Sequence, residues 1–321
     1  MTLHISRLSR SYVLQIGDRL VSGGAVDTLA NKNIIYFARD AIVSIGYTGL
    51  AYELCPGDRN IPTDEFIAQI LLGEPVPRDR QGIGPVTMGM LQIANWLDIG
   101  QSAELLRSSI ENSFSKLSDR HCRYPFEIQI AGWQLIRRRI NNRQMVSPIL
   151  INIAKNRKDR RLHIDRPLPR YWHLRGMIMA SAIPDGFVTA NQFAGFCRLF
   201  PQATTDETEE ILAGAIREVA VRHPGLVGKH CVSILMSPPN PLRVRFLPDA
   251  PHLAHFTDGT NANRLFEIAY SPWIIGPLGF AAPSMFTGTN NIDVGGLTTV
   301  EILGPEGHLG LFEGQTRPRY Y

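Results

Sequence analysis

The first fifty residues carry four short β-rich runs whose links are too short to hold a crossover helix. Thr2-Leu3-His4-Ile5-Ser6 alternates polar and apolar side chains, as a half-buried strand does. Ser9-Arg10-Ser11 supplies turn chemistry before a second run, Tyr12 to Ile16, and Val21-Ser22-Gly23-Gly24 closes it. Asn33 to Phe37 and Ala41 to Ile45 follow, separated only by Ala38-Arg39-Asp40. Parallel neighbours need a connection of about a dozen residues or more, so these strands are expected to pair antiparallel.

Helices are expected next. Ile61-Pro62-Thr63-Asp64 is a start signal for a helix over Glu65 to Leu72, with acids in its first turn and Gly73 as its stop. Pro85 to Leu97 and Gln101 to Leu117 have helical apolar spacing, whereas Phe126 to Trp133 and Met145 to Ile153 return to strand character. Asp206-x-x-Glu209 reads as a capping box opening a helix to about Val221, followed by strands at Cys231 to Met236 and Leu242 to Phe246. Segregated runs of strands and helices argue for α+β layers rather than βαβ repeats. From about Pro248 onward Gly and Pro become dense, and alternation is weak (Ala269 to Ile275, Thr298 to Ile302). The expected division is a main domain over 1–247 and an irregular, β-rich extension over 248–321 packed on it.

With 44% hydrophobic and 19% charged residues and a net charge of +4, overall disorder is excluded. No apolar run approaches the ~18 residues of a membrane span, and the N-terminus lacks the apolar stretch of a secretory signal. Cys55, Cys122, Cys197 and Cys231 are far apart with no CxxC pair, the pattern of reduced thiols in a cytoplasmic protein. His252-x-x-His255 and the group His223, His230 and Cys231 resemble metal spacings only loosely, and no carboxylate completes either. Gly82-x-Gly84 lacks the third glycine of a dinucleotide loop. Neither a metal nor a cofactor is expected.

The positive charge is concentrated. Between Arg137 and Arg175 stand twelve Lys or Arg against Asp159 and Asp165, a segment of +10 that leaves −6 for the remainder. Tyr171 and Trp172 lie inside it. Basic residues interleaved with aromatics can bind phosphate backbones and stack bases; solvated turns are the plainer reading, since no nucleic-acid motif accompanies the charge.

Chemistry gathers at the start of the chain. Removing Met1 would leave Thr2 with a free α-amine, placing a nucleophile and its base on one residue. That amine has an ordinary pKa of about 7.7–8.0, so near neutrality a fraction can take the hydroxyl proton. Such a site needs a cation to lower the amine's pKa, an acid to hold the cation, and backbone N–H groups for the oxyanion. Lys32, Asp18 and the turn Gly46-Tyr47-Thr48-Gly49 are the candidates. A hairpin of the first two strands would put Thr2 and Asp18 at one end. Lys32 precedes the third strand and the turn follows the fourth, so all four pieces can reach one sheet edge.

These residues resemble the N-terminal nucleophile (Ntn) hydrolases, proteasome β-subunits in particular. In that family a leading Thr is followed sixteen residues later by an Asp, as Thr2 is by Asp18. Four residues on stands a Thr or Ser that contacts substrate backbone, matched by Ser22. A Lys opens the third strand, matched by Asn31-Lys32, and a Gly-rich turn after the fourth supplies the oxyanion N–H, matched by Tyr47-Thr48-Gly49-Leu50-Ala51. The likeness covers residues 2–55, and the order of elements extends it to about 247.

The resemblance implies an α+β, four-layer αββα sandwich of two antiparallel sheets. It also implies an N-terminal-threonine amidohydrolase or peptidase that cleaves a peptide or small amide through an acyl-enzyme, and it admits a homo-oligomer. Thr2, Asp18 and Lys32 would be catalytic, and Thr48, Gly49 and Ser22 would bind the oxyanion and substrate. This chain departs from the family in having Asp18-Arg19-Leu20 for Asp-Ser-Arg. Arg222 to Gly228 also lacks the family's supporting Asp and Ser, for which His223 is the candidate stand-in. A catalytically silent assembly or binding subunit of the same fold is one alternative; a nucleic-acid-associated protein using residues 137–175 is another.

Overall fold

A computed structural model of the chain describes residues 3–20, 32–81, 85–86, 88–89, 96–137, 144–155, 160–166, 177–181, 203–237, 242–247, 254–256, 264–266, 268–283, 285–287 and 291–293. The four early runs are β1 (His4–Leu8), β2 (Val13–Asp18), β3 (Asn33–Ala38) and β4 (Ala41–Thr48). Helix α1 (Thr63–Leu72), the short β5 (Met88–Gly89), α2 (Ile99–Lys116) and α3 (Asp119–Cys122) follow. Next come β6 (Phe126–Arg137), β7 (Gln144–Lys155), β8 (Leu162–Asp165), β9 (Met177–Ser181), α4 (Thr205–Arg222), β10 (Cys231–Met236) and β11 (Arg243–Leu247). Beyond residue 247 lie β12 (Ala254–Phe256), β13 (Arg264–Phe266), β14 (Ile268–Tyr270), β15 (Trp273–Gly276), β16 (Gly279–Ala281), β17 (Met285–Thr287) and β18 (Asn291–Asp293).

Among the described residues the strands form two main sheets. One has six strands in the order β18-β11-β10-β2-β1-β9; the other has eight, β5-β16-β15-β3-β4-β6-β7-β8. The early hairpins pair antiparallel as their links require, His4 opposite Gly17 and Asn33 opposite Gly46. One pairing departs from the antiparallel expectation: β15 runs parallel to β3, with Trp273 opposite Ile34. A parallel partner must come from far along the chain, and β15 is more than two hundred residues from β3.

Alternation along the strands divides the apolar residues among three clusters. Ile34, Tyr36, Val43, Ile45, Ile128 and Ile130 turn one face of the eight-stranded sheet toward Phe66 and Ile67 of α1 and Leu106, Ile110 and Phe114 of α2. Leu3, Ile5, Leu14 and Ile16 turn a face of the six-stranded sheet toward Leu212, Ile216 and Val219 of α4. The third cluster, among the described residues, draws on both sheets and not on a helix, and includes Leu8, Val13, Phe37, Trp133, Val232 and Phe246. Each such side chain stabilises by roughly 1.5–3 kcal/mol when fully buried.

Two local expectations are corrected. Met88–Gly89, inside the segment read as helical, is a strand, because Met88 pairs with Ala281 and Gly89 with Phe280. A Cβ at Gly89 would lie 2.4 Å from the Phe280 ring, so the approach is close. The capping box of α4 is Thr204 with Glu207, two residues before the expected one. Asp206 and Glu209 instead bind Arg243 Nη2 at 2.7 and 2.9 Å, and Glu209 also takes Arg245 Nη1 at 3.1 Å. Among the described residues no helix is long and apolar enough to cross a membrane.

Candidate active site

The end of β2, the starts of β1 and β3 and the end of β4 meet at one edge of the molecule, and a buried ion pair joins the two sheets there. Asp18 is fully buried and Lys32 is 2% exposed, with Lys32 Nζ 3.6 Å from Asp18 Oδ2. Taking both charges from water is costly unless their remaining valences are met. Asp18 Oδ1 accepts the Leu3 N–H at 2.8 Å, and Oδ2 accepts those of Leu20 at 3.1 Å and Gly228 at 2.9 Å. Lys32 Nζ donates to the Leu20 carbonyl. The Asp18 N–H returns to the Leu3 carbonyl at 3.2 Å, closing the hairpin on the amide that follows residue 2.

The structure therefore brings together Asp18 and Lys32, as their spacing suggested. Thr2 and Ser22 lie outside the described residues. Thr48 ends β4 fully buried, and Gly49 follows it. Gly49 has φ of 108°, and a Cβ there would lie 2.4 Å from the Pro125 carbonyl oxygen, so the turn requires glycine twice over. His223 ends α4, its N–H donating to the Val219 carbonyl. What its loop gives Asp18 is the backbone N–H of Gly228. Arg19 places its guanidinium 5.3 Å over the Phe246 ring.

His4, which the sequence reading passed over, stands behind the ion pair. It is fully buried on the intersheet face of β1, wedged between Gly17 and Gly46. A Cβ at Gly17 would come within 2.3 Å of the imidazole, and one at Gly46 within 2.7 Å. Burial, and then the charge of Lys32, push its pKa down from 6.5 to about 3, against an opposing pull from the Tyr47 backbone. The imidazole is therefore neutral at physiological pH and adds no charge beside Lys32. Glycines on two strands that both face it were the available signal.

Next to His4 the intersheet layer is polar. Ser6 Oγ donates to Gln129 Oε1. Gln15 Nε2 donates to Ser6 Oγ and to the Gln129 carbonyl, both at 3.1 Å. Gln15 Oε1 accepts from Asn33 Nδ2 at 2.9 Å and Ser44 Oγ at 2.6 Å. Of the basic 137–175 segment, Arg138 to Arg143, Arg157, Lys158, Arg170 and Arg175 lie outside the described residues, as do Tyr171 and Trp172. Lys155 is buried on the Cys122 carbonyl at 2.6 Å, and Arg160 pairs with Asp119 at 2.6 Å.

No protein-family model matches the chain, and no curated protein sequence matches it. Several solved structures resemble it. The Anbu (Gly-1) mutant from Hyphomicrobium sp. strain MC1 has a TM-score of 0.43 at 9% identity, over 74% of this chain and 82% of that one. Anbu, an ancestral beta-subunit, from Yersinia bercovieri has a TM-score of 0.44 at 10% identity, over 73% and 81%. The helical assembly of the Anbu complex from Pseudomonas aeruginosa has 0.42 at 8%, over 73% and 81%. At these scores function has to be argued from the chain's own residues.

Proposed function

We propose that the chain is a proteasome-like Ntn hydrolase with the four-layer αββα arrangement, residues 1–247 forming most of the hydrolase domain and 248–321 an extension that adds β15, β16 and β18 to its sheets. In this reading it is an N-terminal-threonine amidohydrolase or peptidase acting on a peptide or small amide. The observation that carries the reading is the buried Asp18–Lys32 pair whose carboxylate also holds the Leu3 N–H.

After loss of Met1, the α-amine of Thr2 takes the hydroxyl proton while Oγ bonds to the amide carbonyl carbon. The carbonyl oxygen gains the negative charge and is met by backbone N–H groups of the Thr48–Gly49 turn. The C–N bond then breaks as the ammonium proton passes to the leaving amine, and water resolves the ester by the same base. Lys32 disfavours a second positive charge at the amine and so keeps it basic enough yet unprotonated; Asp18 fixes Lys32 and the hairpin. A catalytically silent subunit of the same fold, assembling as a homo-oligomer, is favoured by one feature: the 223–228 loop offers Asp18 a backbone N–H rather than a side-chain acid and hydroxyl.

The two readings separate by intact mass and labelling of the native protein. Hydrolase chemistry requires a mass lacking Met1 and covalent labelling by a peptide epoxyketone. Labelling disappears in Thr2→Ala and slows by roughly 10²-fold or more in Lys32→Met. A native chain retaining Met1 removes the hydrolase reading, since the amine is then locked in a peptide bond.

A further inference from the structure

The intersheet face of the eight-stranded sheet continues past His4 onto β6 and β7, and three of its buried polar atoms there lack partners among the described residues. Thr48 stands opposite Glu127, and Gln129 stands opposite both Gly46 and Asn152. All four side chains share the intersheet face, because Tyr47, Ile128, Ile151 and Ile153, which alternate with them, pack toward the helices. Thr48 and Gln129 are fully buried and Asn152 is 8% exposed. Yet Thr48 Oγ1, Gln129 Nε2 and Asn152 Oδ1 have no hydrogen-bond partner among the described residues. The neighbouring Gln15, Ser44 and Ser6 are mutually bonded, whereas the His4 ring nitrogens beside them share the lack of a hydrogen-bond partner.

Glu127 sits among them, only partly buried, and the Asn152 side chain pulls its carboxyl pKa down against the larger upward push of burial. The open valences are thus two acceptors, Asn152 Oδ1 and the Glu127 carboxyl, one donor, Gln129 Nε2, and a hydroxyl that serves as either. An ammonium would satisfy the acceptors and strand the Gln129 donor. A carboxylate would do the reverse and face Glu127. A group that presents N–H and C=O side by side satisfies all of them and brings no charge into a buried place.

We propose that Thr48, Glu127, Gln129 and Asn152 form a subsite for an amide group of the substrate, beside the Asp18–Lys32 centre. The strands that carry Glu127 and the Lys32 end of β3 are two spacings apart, roughly 10 Å, a distance a substrate side chain or a neighbouring peptide unit covers. Burial holds the Glu127 carboxyl up at about 7, so near neutrality it can accept or donate as the amide requires. As a substrate subsite this rests on the hydrolase reading; as a binding patch it does not.

The test is therefore binding to the full-length Thr2→Ala protein, where no turnover can occur. Calorimetry or ligand-observed NMR would compare N-acetylglutamine methylamide, N-acetylmethionine methylamide and Nα-acetyllysine methylamide. The glutamine probe is expected to bind about tenfold tighter than the other two. Asn152→Leu is expected to bring the three within about twofold while Glu127→Gln retains part of the preference, with unfolding midpoints recorded for each variant. Equal affinities, a lysine preference, or a glutamine preference that survives Asn152→Leu each overturn the subsite; equal affinities would mean the orphaned atoms serve water alone. Loss of this preference alongside intact epoxyketone labelling of the wild type would remove the subsite and leave the hydrolase standing.

Discussion

Leu8 and His4 lie on the same face of β1, one at each end, and meet opposite surroundings. Leu8 belongs to an apolar cluster with Val13, Phe37, Trp133, Val232 and Phe246 drawn from both sheets. His4 stands where the same two sheets present Gln15, Asn33, Ser44 and Gln129. The apolar end holds the sheets together by removing area from water. The polar end is tolerated only so far as its groups pair, because each buried orphan costs about 1–3 kcal/mol. The candidate residues Asp18 and Lys32 and the unpartnered Thr48, Gln129 and Asn152 atoms all fall at the polar end, so the layer between the sheets is stabilised at one end and holds its buried charges and unpaired polar groups at the other.

The contrast breaks first if the apolar end does not carry the larger share. Trp133 is 5% exposed and donates from Nε1 to the Met236 carbonyl at 3.0 Å, bridging the sheets. Trp133→Ala is expected to lower unfolding free energy by about 3–5 kcal/mol in urea titration. Gln15→Leu, at the polar end, keeps the volume but strips partners from Asn33, Ser44 and Ser6, and is expected to cost about 1–3 kcal/mol. A Gln15→Leu variant as stable as wild type would mean that the polar end is already wet and not a paired network.

The same contrast marks what could be read from sequence. The four early strands and the Asp18–Lys32 pairing were legible, since short links dictate antiparallel hairpins and hairpins fix which ends meet. The Glu127 patch was not. Glu127 and Gln129 alternate with Ile128 and Ile130, and a single strand with that pattern looks like one with a solvent face; here the polar face meets a second sheet. Thr204-x-x-Glu207 and Asp206-x-x-Glu209 satisfy the same capping pattern, and only the nonlocal arginines Arg243 and Arg245 decide between them. The pairing of β15 with β3 rests on contacts too distant in sequence for any local period to reveal.

The polar end also carries titrations of opposite sign, and these sharpen the comparison most finely. His4 has a folded pKa depressed from 6.5 to about 3, so its contribution is complete above pH 6.5 and is lost as pH falls toward 3. Glu127 is raised from 4.5 to about 7, so its contribution is complete below pH 4.5 and is lost as pH rises through 7. Asp64, bonded by Trp273 Nε1 at 2.9 Å, is raised from 3.8 to about 6 and adds to the second trend. One proton's difference between folded and unfolded states tilts stability by at most about 1.4 kcal/mol per pH unit. Between pH 4.5 and 6.5 the trends oppose each other. His4→Gln should therefore make stability fall more steeply with rising pH across that window than in wild type, and Glu127→Gln should make it fall less steeply, the Asp64 and His4 trends then nearly cancelling up to about pH 6. Urea midpoints at half-unit pH steps measure both slopes. Parallel profiles for wild type and His4→Gln would mean that the imidazole titrates as it does in water, and a histidine open to water cannot be the wedge between Gly17 and Gly46 that separates the ion pair from the core.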